Sequence, residues 1–335
     1  MSTNIYFSSN QLGELTEAQL QQVLKRFSLG ELLSFEKTEK GVGNQTLFIS
    51  ASSGEYVLKG NPLIETQFKE EKFYVDNLSK RTTLPVPSPY LTDESKDILD
   101  WSYSLMPRLP GRHIKGVETG LNLNAKKGIA GIYARTLCEL HGWKAVHFGE
   151  YDPEKRDGIR PFEGSYKTWL YDRIRYWLED AKKYSVITAG DFDWVEDVLA
   201  ASENVFDELN APSFVMGDYQ TDNILVEQSN HDWKISGFFD FTTGYFGDGI
   251  ADLSNMVAMY LDHAEDELAK HFISMYIDCS EDKGNFIERF RVHMLHQRIL
   301  DWGCAKATHN VTWDNDLSFS SWAVKYTESA AYLLS

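Results

Sequence analysis

Cysteine is scarce, with only Cys138, Cys279 and Cys304 in 335 residues. Three scattered cysteines cannot build the disulfide framework of a small secreted fold, and they show no metal-ligand spacing. Each is therefore expected to be a small buried hydrophobe in a reducing, cytoplasmic setting. Long apolar runs are missing as well, and the opening segment MSTNIYFSSNQLGELTEAQL has no charged stretch leading into an apolar one. Neither a membrane span nor an export leader is expected. Positive charge is in deficit, 33 Lys and Arg against 50 Asp and Glu. Nucleic-acid phosphates need basic patches, so nucleic acid is excluded as the expected partner. Internal repeats and low-complexity segments are absent.

The chain does have 42% hydrophobic and 13% aromatic residues, enough at this length for a large core in one two-lobed domain or two smaller ones. Its acidity is uneven. Residues 1–109 carry 11 basic and 14 acidic side chains, leaving 22 and 36, a net of −14, for the remainder. Such a surface attracts cationic small molecules, although it also serves ordinary solubility.

The most informative stretch is Phe214–Ser254. An apolar pair, Phe214 and Val215, enters a tight Gly217-Asp218 turn; Asn223 follows five residues after the Asp, then the strand Ile224-Leu225-Val226. A second apolar strand, Ile235 to Phe239, delivers Asp240. Phosphoryl transfer requires these types in this order: a carboxylate to receive a hydroxyl proton, an amide oxygen for a metal, and a carboxylate on a neighbouring strand end for the metals. Magnesium takes hard oxygen ligands and shares them with phosphates, so one Asn and one Asp suffice. Asp and Asn also cap turns, but five polar positions in register favour chemistry.

At these residues the chain resembles the aminoglycoside phosphotransferase and choline-kinase family, whose catalytic segment runs His-Gly-Asp, four residues, Asn. Here it runs Met216-Gly217-Asp218-Tyr219-Gln220-Thr221-Asp222-Asn223, and the family's metal segment is matched by Phe239-Asp240, Gly247-Asp248 and Asp252-Leu253-Ser254. The resemblance implies that Asp218 is the catalytic base and that Asn223 and Asp240 hold magnesium, with ATP or GTP as phosphate donor. Met216 replaces the usual His, which bears on the rigidity of the loop. Ser254 replaces a small apolar residue, and Asp248 is expected to support a turn.

Upstream, residues 12 to 28 have helical spacing. A strand at Phe35 then leads through Gly41-Val42-Gly43-Asn44 to strands at Thr46–Ser50 and Tyr56–Lys59. This is the form of a loop closing over phosphates, with Gly43 and Asn44 at its tip and Lys59 gripping them. The helix Phe68 to Leu78 offers Glu70 and Glu71 as partners for Lys59. Adjacent helix positions point about 100° apart, so only one can face inward. Glu71 shares the stripe of Tyr74, Val75 and Leu78 and is expected to pair with Lys59, leaving Glu70 solvated.

After the proline-fixed Leu84–Pro89 connection, the strand Trp101–Met106 runs into Pro107-Arg108-Leu109-Pro110-Gly111. By resemblance this is the hinge: Met106 fills the gatekeeper position, the Pro107 carbonyl accepts from adenine, and the Leu109 N–H donates to it. The implied division is a nucleotide lobe at 1–106, a hinge at 107–111 and a helical lobe at 112–335.

Helical spacing marks Asn124–Trp143, ending in a packed structural His141, and continues in Tyr166–Tyr184, Asp191–Leu209, Ala251–Ala264, Glu267–Cys279, Asn285–Lys306 and Phe319–Leu334. The fold class is α+β, a two-lobed protein-kinase-like fold with a small antiparallel-sheet N-lobe and a large, mainly helical C-lobe. The 142–165 insertion resembles the hygromycin B phosphotransferases more than the choline kinases. In this family the acceptor lies against the C-terminal helices, so Asp262, His263, Asp266, Asp301, Trp302 and Trp313 are its candidate contacts, though such residues are often surface carboxylates or core tryptophans. Three readings follow. The first is a kinase for a cationic hydroxyl acceptor such as an aminoglycoside; the second is a metabolic kinase for a sugar or amino alcohol; the third is a nucleotide-binding pseudokinase. A monomer or weak dimer is expected.

Overall fold

A computed structural model describes residues 14–38, 45–60, 66–116, 120–209, 211–229 and 232–335. Helix α1 (Glu17–Arg26) starts where Thr16 and Gln19 form a reciprocal capping box. An antiparallel sheet follows, built from β1 (Leu32–Lys37), β2 (Gln45–Ala51), β3 (Gly54–Gly60), β4 (Leu91–Asp93) and β5 (Tyr103–Pro107) in the order β1-β2-β3-β5-β4. Alternation along β2 buries Leu47, Ile49 and Ala51 against Leu20, Val23 and Leu24 of α1. Helix α2 (Gln67–Arg81) lies between β3 and β4 in sequence.

The second region holds α3 (Leu123–His141), β6 (Gly149–Tyr151), β7 (Ile159–Pro161), α4 (Tyr166–Ala181), α5 (Ala189–Ala201), β8 (Ser213–Val215), β9 (Ile224–Ser229), β10 (Asp232–Phe238) and β11 (Tyr245–Gly247). It closes with α6 (Leu253–Asp262), α7 (Asp266–Cys279), α8 (Phe286–Ala307), α9 (Phe319–Thr327) and α10 (Ser329–Leu333). Strands β9 and β10 form a hairpin, and a four-stranded sheet runs β7-β6-β11-β8. The expected two-lobed α+β architecture is present.

Several expectations are corrected. The four-stranded sheet was not expected, because its strands are three residues long and carry no period. Helix α5 stops at Ala201, where the Ser202 N–H turns back to the Leu199 carbonyl. The final helix divides at Glu328 into α9 and α10. The cysteines are corrected too: Cys138 and Cys279 form a disulfide between α3 and α7 with Cα atoms 6.1 Å apart, and Cys304 is exposed and takes no part in a disulfide. Sequence separation hides that pairing, which the parallel packing of the two helices creates.

Two apolar cores result. One lies under the five-stranded sheet and contains Leu24, Leu47, Leu58 and Leu105. The other fills the helical lobe and takes in Tyr74, Val75 and Leu78 of α2. Burial of these side chains contributes about 25 cal/mol per Å² of apolar surface.

Candidate active site

The catalytic loop leaves β8 through Met216 and Gly217. Gly217 has φ +78°, and a Cβ there would lie 2.5 Å from the Thr243 carbonyl oxygen, so only glycine fits. The loop is held from its backbone: Met216 N–H donates to Asp252 Oδ2 and Gly217 N–H to Asp252 Oδ1, each at 2.8 Å. Thr243 Oγ1 donates to the Met216 carbonyl at 2.9 Å. These bonds brace the loop whatever side chain occupies position 216, and Met216 itself is fully buried. Asp252 is in turn contacted by His141 Nε2 at 3.1 Å, while His141 Nδ1 lies 2.9 Å from the Tyr276 hydroxyl.

Asp218 stands at the tip. Gln220 Nε2 donates to both its carboxylate oxygens, at 2.8 and 2.9 Å, and Asn255 Nδ2 reaches Oδ1 at 3.4 Å. Asn223 Nδ2 donates to the Asp218 carbonyl and to Oδ2, both at 2.9 Å. Its amide nitrogen so occupied, Asn223 turns its oxygen to the other side, the orientation a hard cation requires. Burial, then the nearby Asp240 charge, push the Asp218 carboxyl up to about 6, with the Gln220 and Asn223 bonds acting in the opposite direction.

Asp240 follows the end of β10 with φ +69°, a left-handed conformation that Asp tolerates better than most side chains. Its Oδ1 lies 3.3 Å from Lys59 Nζ. Lys59 also meets Glu71 at 3.0 and 3.4 Å, and Glu71 Oε2 accepts from the Tyr90 hydroxyl at 2.6 Å. Burial alone would lower the Lys59 pKa, but Asp240 and Glu71 outweigh it and hold the ammonium above its usual range. Glu71 is the inward-facing carboxylate, as its helix position requires. Glu70 is not solvated as expected. It is half-buried, and burial together with the Glu150 charge pushes its carboxyl up to about 8.

At the hinge, Met106 is buried at the end of β5, Arg108 N–H donates to the Glu55 carbonyl at 2.9 Å, and the Arg108 guanidinium stacks over Phe48. Pro107 and Leu109 are partly exposed. Gly43 and Asn44 lie outside the described residues. Asp248 is buried against Arg289 at 3.1 Å and His293 at 2.9 Å, which together hold it below the usual carboxylate range despite burial.

The acceptor candidates separate. Asp301 is bonded by Gln297 at 3.0 Å and by Arg298, and its charge acts on Asp218. Asp262 is exposed and contacts the Tyr326 hydroxyl and Lys325; His263 beside it is exposed too. Asp266 borders a surface cavity of about 410 Å³ with Leu121 and Lys126. Trp302 is 2% exposed and packs among Trp313, Phe319 and Trp322, its indole N–H on Ser185. It faces the core, not a cleft. Sequence reasoning missed Gln220, Asn255 and Tyr90, polar residues whose partners are fixed only by folding.

A family model described as the phosphotransferase enzyme family (APH) matches residues 34–284. The chain belongs to this family. Over 239 residues it is 32% identical to the homoserine kinase of Paraburkholderia phymatum, a match spanning 68% of this chain and 66% of that protein. Among solved phosphotransferases, it is similar to a thermostable aminoglycoside phosphotransferase mutant in ternary complex with ADP and hygromycin B. That match has a TM-score of 0.64 and 14% identity, covering 95% of this chain and 99% of the other. It is also similar to an aminoglycoside 2'-phosphotransferase-IIIa in complex with GDP, with a TM-score of 0.61 and 13% identity over 95% and 100% of the two chains. At these identities the structural likeness is one of fold, and the fold is kinase-like.

Proposed function

We propose that this phosphotransferase moves the γ-phosphate of ATP to a hydroxyl of a small, amino-bearing acceptor. The observation that carries the reading is the convergence of two pairs, Lys59 with Asp240 at 3.3 Å and Asn223 with Asp218 at 2.9 Å, with the Asp240 charge acting on Asp218. Asp218 takes the acceptor's proton, and a carboxyl near 6 is ionised at neutral pH yet basic enough for that role. Lys59, fixed by Glu71, faces the phosphates, and Met106, Pro107 and Leu109 receive the base. Asn223 and Asp240 would hold magnesium, which neutralises charge developing on the phosphates. On this reading the enzyme works in the cytoplasm as a monomer or weak dimer. Among the described residues no helix is long and apolar enough to cross a membrane.

For the acceptor, the 32% identity to a homoserine kinase outweighs 13–14% identity to aminoglycoside enzymes. A small amino alcohol or hydroxy amino acid is therefore the first candidate and an aminoglycoside the second. Arg298 beside Asp301 offers charges of both signs to a zwitterion. Steady-state ADP release with homoserine, choline, hygromycin B and kanamycin, each against a no-acceptor control, tests this. Stimulation by homoserine or choline is expected; stimulation by the antibiotics alone reverses the ranking, and ADP release from none removes the amino-bearing class.

A further inference from the structure

Helices α3 and α7 run parallel, with Lys127 on Glu267 at their starts and Cys138 on Cys279 at their ends, and two contacts lie one helical turn apart near those ends. Cys138 meets Cys279 across 141 residues of sequence, and three residues along each helix His141 meets Tyr276. From His141 the contacts continue to Asp252, and from Asp252 to the two N–H groups that precede Asp218. The His141 ring packs closely on the backbone of Gly249, where an added Cβ would lie 2.6 Å from Nδ1, and it is held by hydrogen-bonding partners at both ring nitrogens. Its position is thus tied to the α3–α7 seam. Cys279 is exposed, Cys138 is half-buried, and a cavity of about 110 Å³ lined by Cys138, His141, Tyr276 and Cys279 opens on the seam.

We propose that Cys138 and Cys279 form a thiol–disulfide switch that sets the rigidity of the catalytic loop through Tyr276, His141 and Asp252. Its effect on turnover rests on the phosphotransferase reading of Asp218; its effect on the loop does not. A solvent dithiol attacks the exposed sulfur of Cys279. The S–S bond breaks, two electrons come from the dithiol, the two cysteines end as thiols with two protons, and the reductant leaves as its own disulfide. The covalent tie between the helices is then lost, and the seam is held by packing and the His141–Tyr276 hydrogen bond. Loosening there withdraws His141 from Asp252 and frees the Met216 and Gly217 amides. In the reducing compartment proposed above, an accessible disulfide is transient and so suited to sensing rather than to permanent bracing.

The test uses the full chain carrying Cys304→Ser, so that only this pair can react. One sample is equilibrated with oxidised glutathione and another with excess dithiothreitol, and alkylation followed by mass spectrometry establishes the state of each cysteine. Amide hydrogen exchange at Met216 and Gly217 is then compared, alongside kcat and the nucleotide KM. Reduction is expected to speed exchange at both amides by about fivefold or more, to lower kcat, and to leave β3 and α2 unchanged. Cys279→Ser, or Cys138→Ala if that variant fails to fold, should match the reduced sample and ignore the reductant. Both cysteines alkylating after oxidised glutathione, or equal exchange in the two states, overturns the proposal. Exchange needs neither nucleotide nor acceptor, so a failed kinase reading would leave the difference intact.

Discussion

Asp252 grips Gly217 and its neighbour with one oxygen each, fixing the backbone that carries Asp218. Asp252→Asn keeps the shape but turns an N–H toward an N–H on one side. A drop in kcat of at least about tenfold is expected, with a stability loss on the order of 2 kcal/mol. Denaturant unfolding and steady-state kinetics check both, and unchanged kcat would remove Asp252 from loop control.

Asp218 gives a pH dependence with a definite sign. Its folded carboxyl is raised to about 6 by burial and then by Asp240, against 3.8 unfolded, so kcat/KM should rise with pH through about 6. The same shift makes the folded state bind the proton more tightly. The associated stability is present below the unfolded value and lost as pH rises through the folded one. Asp218→Asn should therefore be nearly inactive yet more stable at pH 7, by on the order of 2 kcal/mol. The difference should vanish near pH 3, as thermal melts across the range would reveal.

Lys59 and Glu71 depend on each other. Glu71→Ala leaves the Lys59 ammonium with Asp240 alone and is expected to raise the nucleotide KM or lower kcat by about tenfold or more. Lys59→Met leaves Glu71 buried and uncompensated, with a stability loss of about 3 kcal/mol. Calorimetric titration with nucleotide and chemical unfolding separate the two effects; a wild-type response from either variant dissolves the pair.

Glu70 should now behave differently from a surface carboxylate. Its pKa near 8, against 4.5 unfolded, means that the folded state keeps a proton the unfolded state has lost, so stability falls from about pH 4.5 and levels off above about 8. Glu70→Gln should keep activity and flatten the fall in melting temperature between about pH 5 and 8. A parallel fall in both proteins would return Glu70 to solvent.

The site's polar core was legible because its members sit close in sequence. Asp218 and Asn223 are five residues apart, and Asp240 ends the next hairpin. Helix geometry alone separated Glu71 from Glu70 in direction, but not in exposure: Glu70 is covered by an element more than seventy residues away, where β6 brings Glu150 near it. The same limit explains the β7-β6-β11-β8 sheet and the Cys138–Cys279 bond, both made by tertiary register. Trp302 reads equally well as cleft or core until α9 supplies Phe319 and Trp322.

Helix α2 follows the N-terminal strands in sequence, but its apolar face belongs to the large core, and Tyr74 donates to the Gly244 carbonyl at 2.8 Å. Lys59, by contrast, rides on the sheet with the small core. The 3.0 Å contact between Lys59 and Glu71 therefore straddles a mechanical seam. Coulomb attraction in a desolvated setting changes with separation, so any rocking of the sheet over α2 would be felt at the Lys59 ammonium, through its contacts to Glu71 and to Asp240.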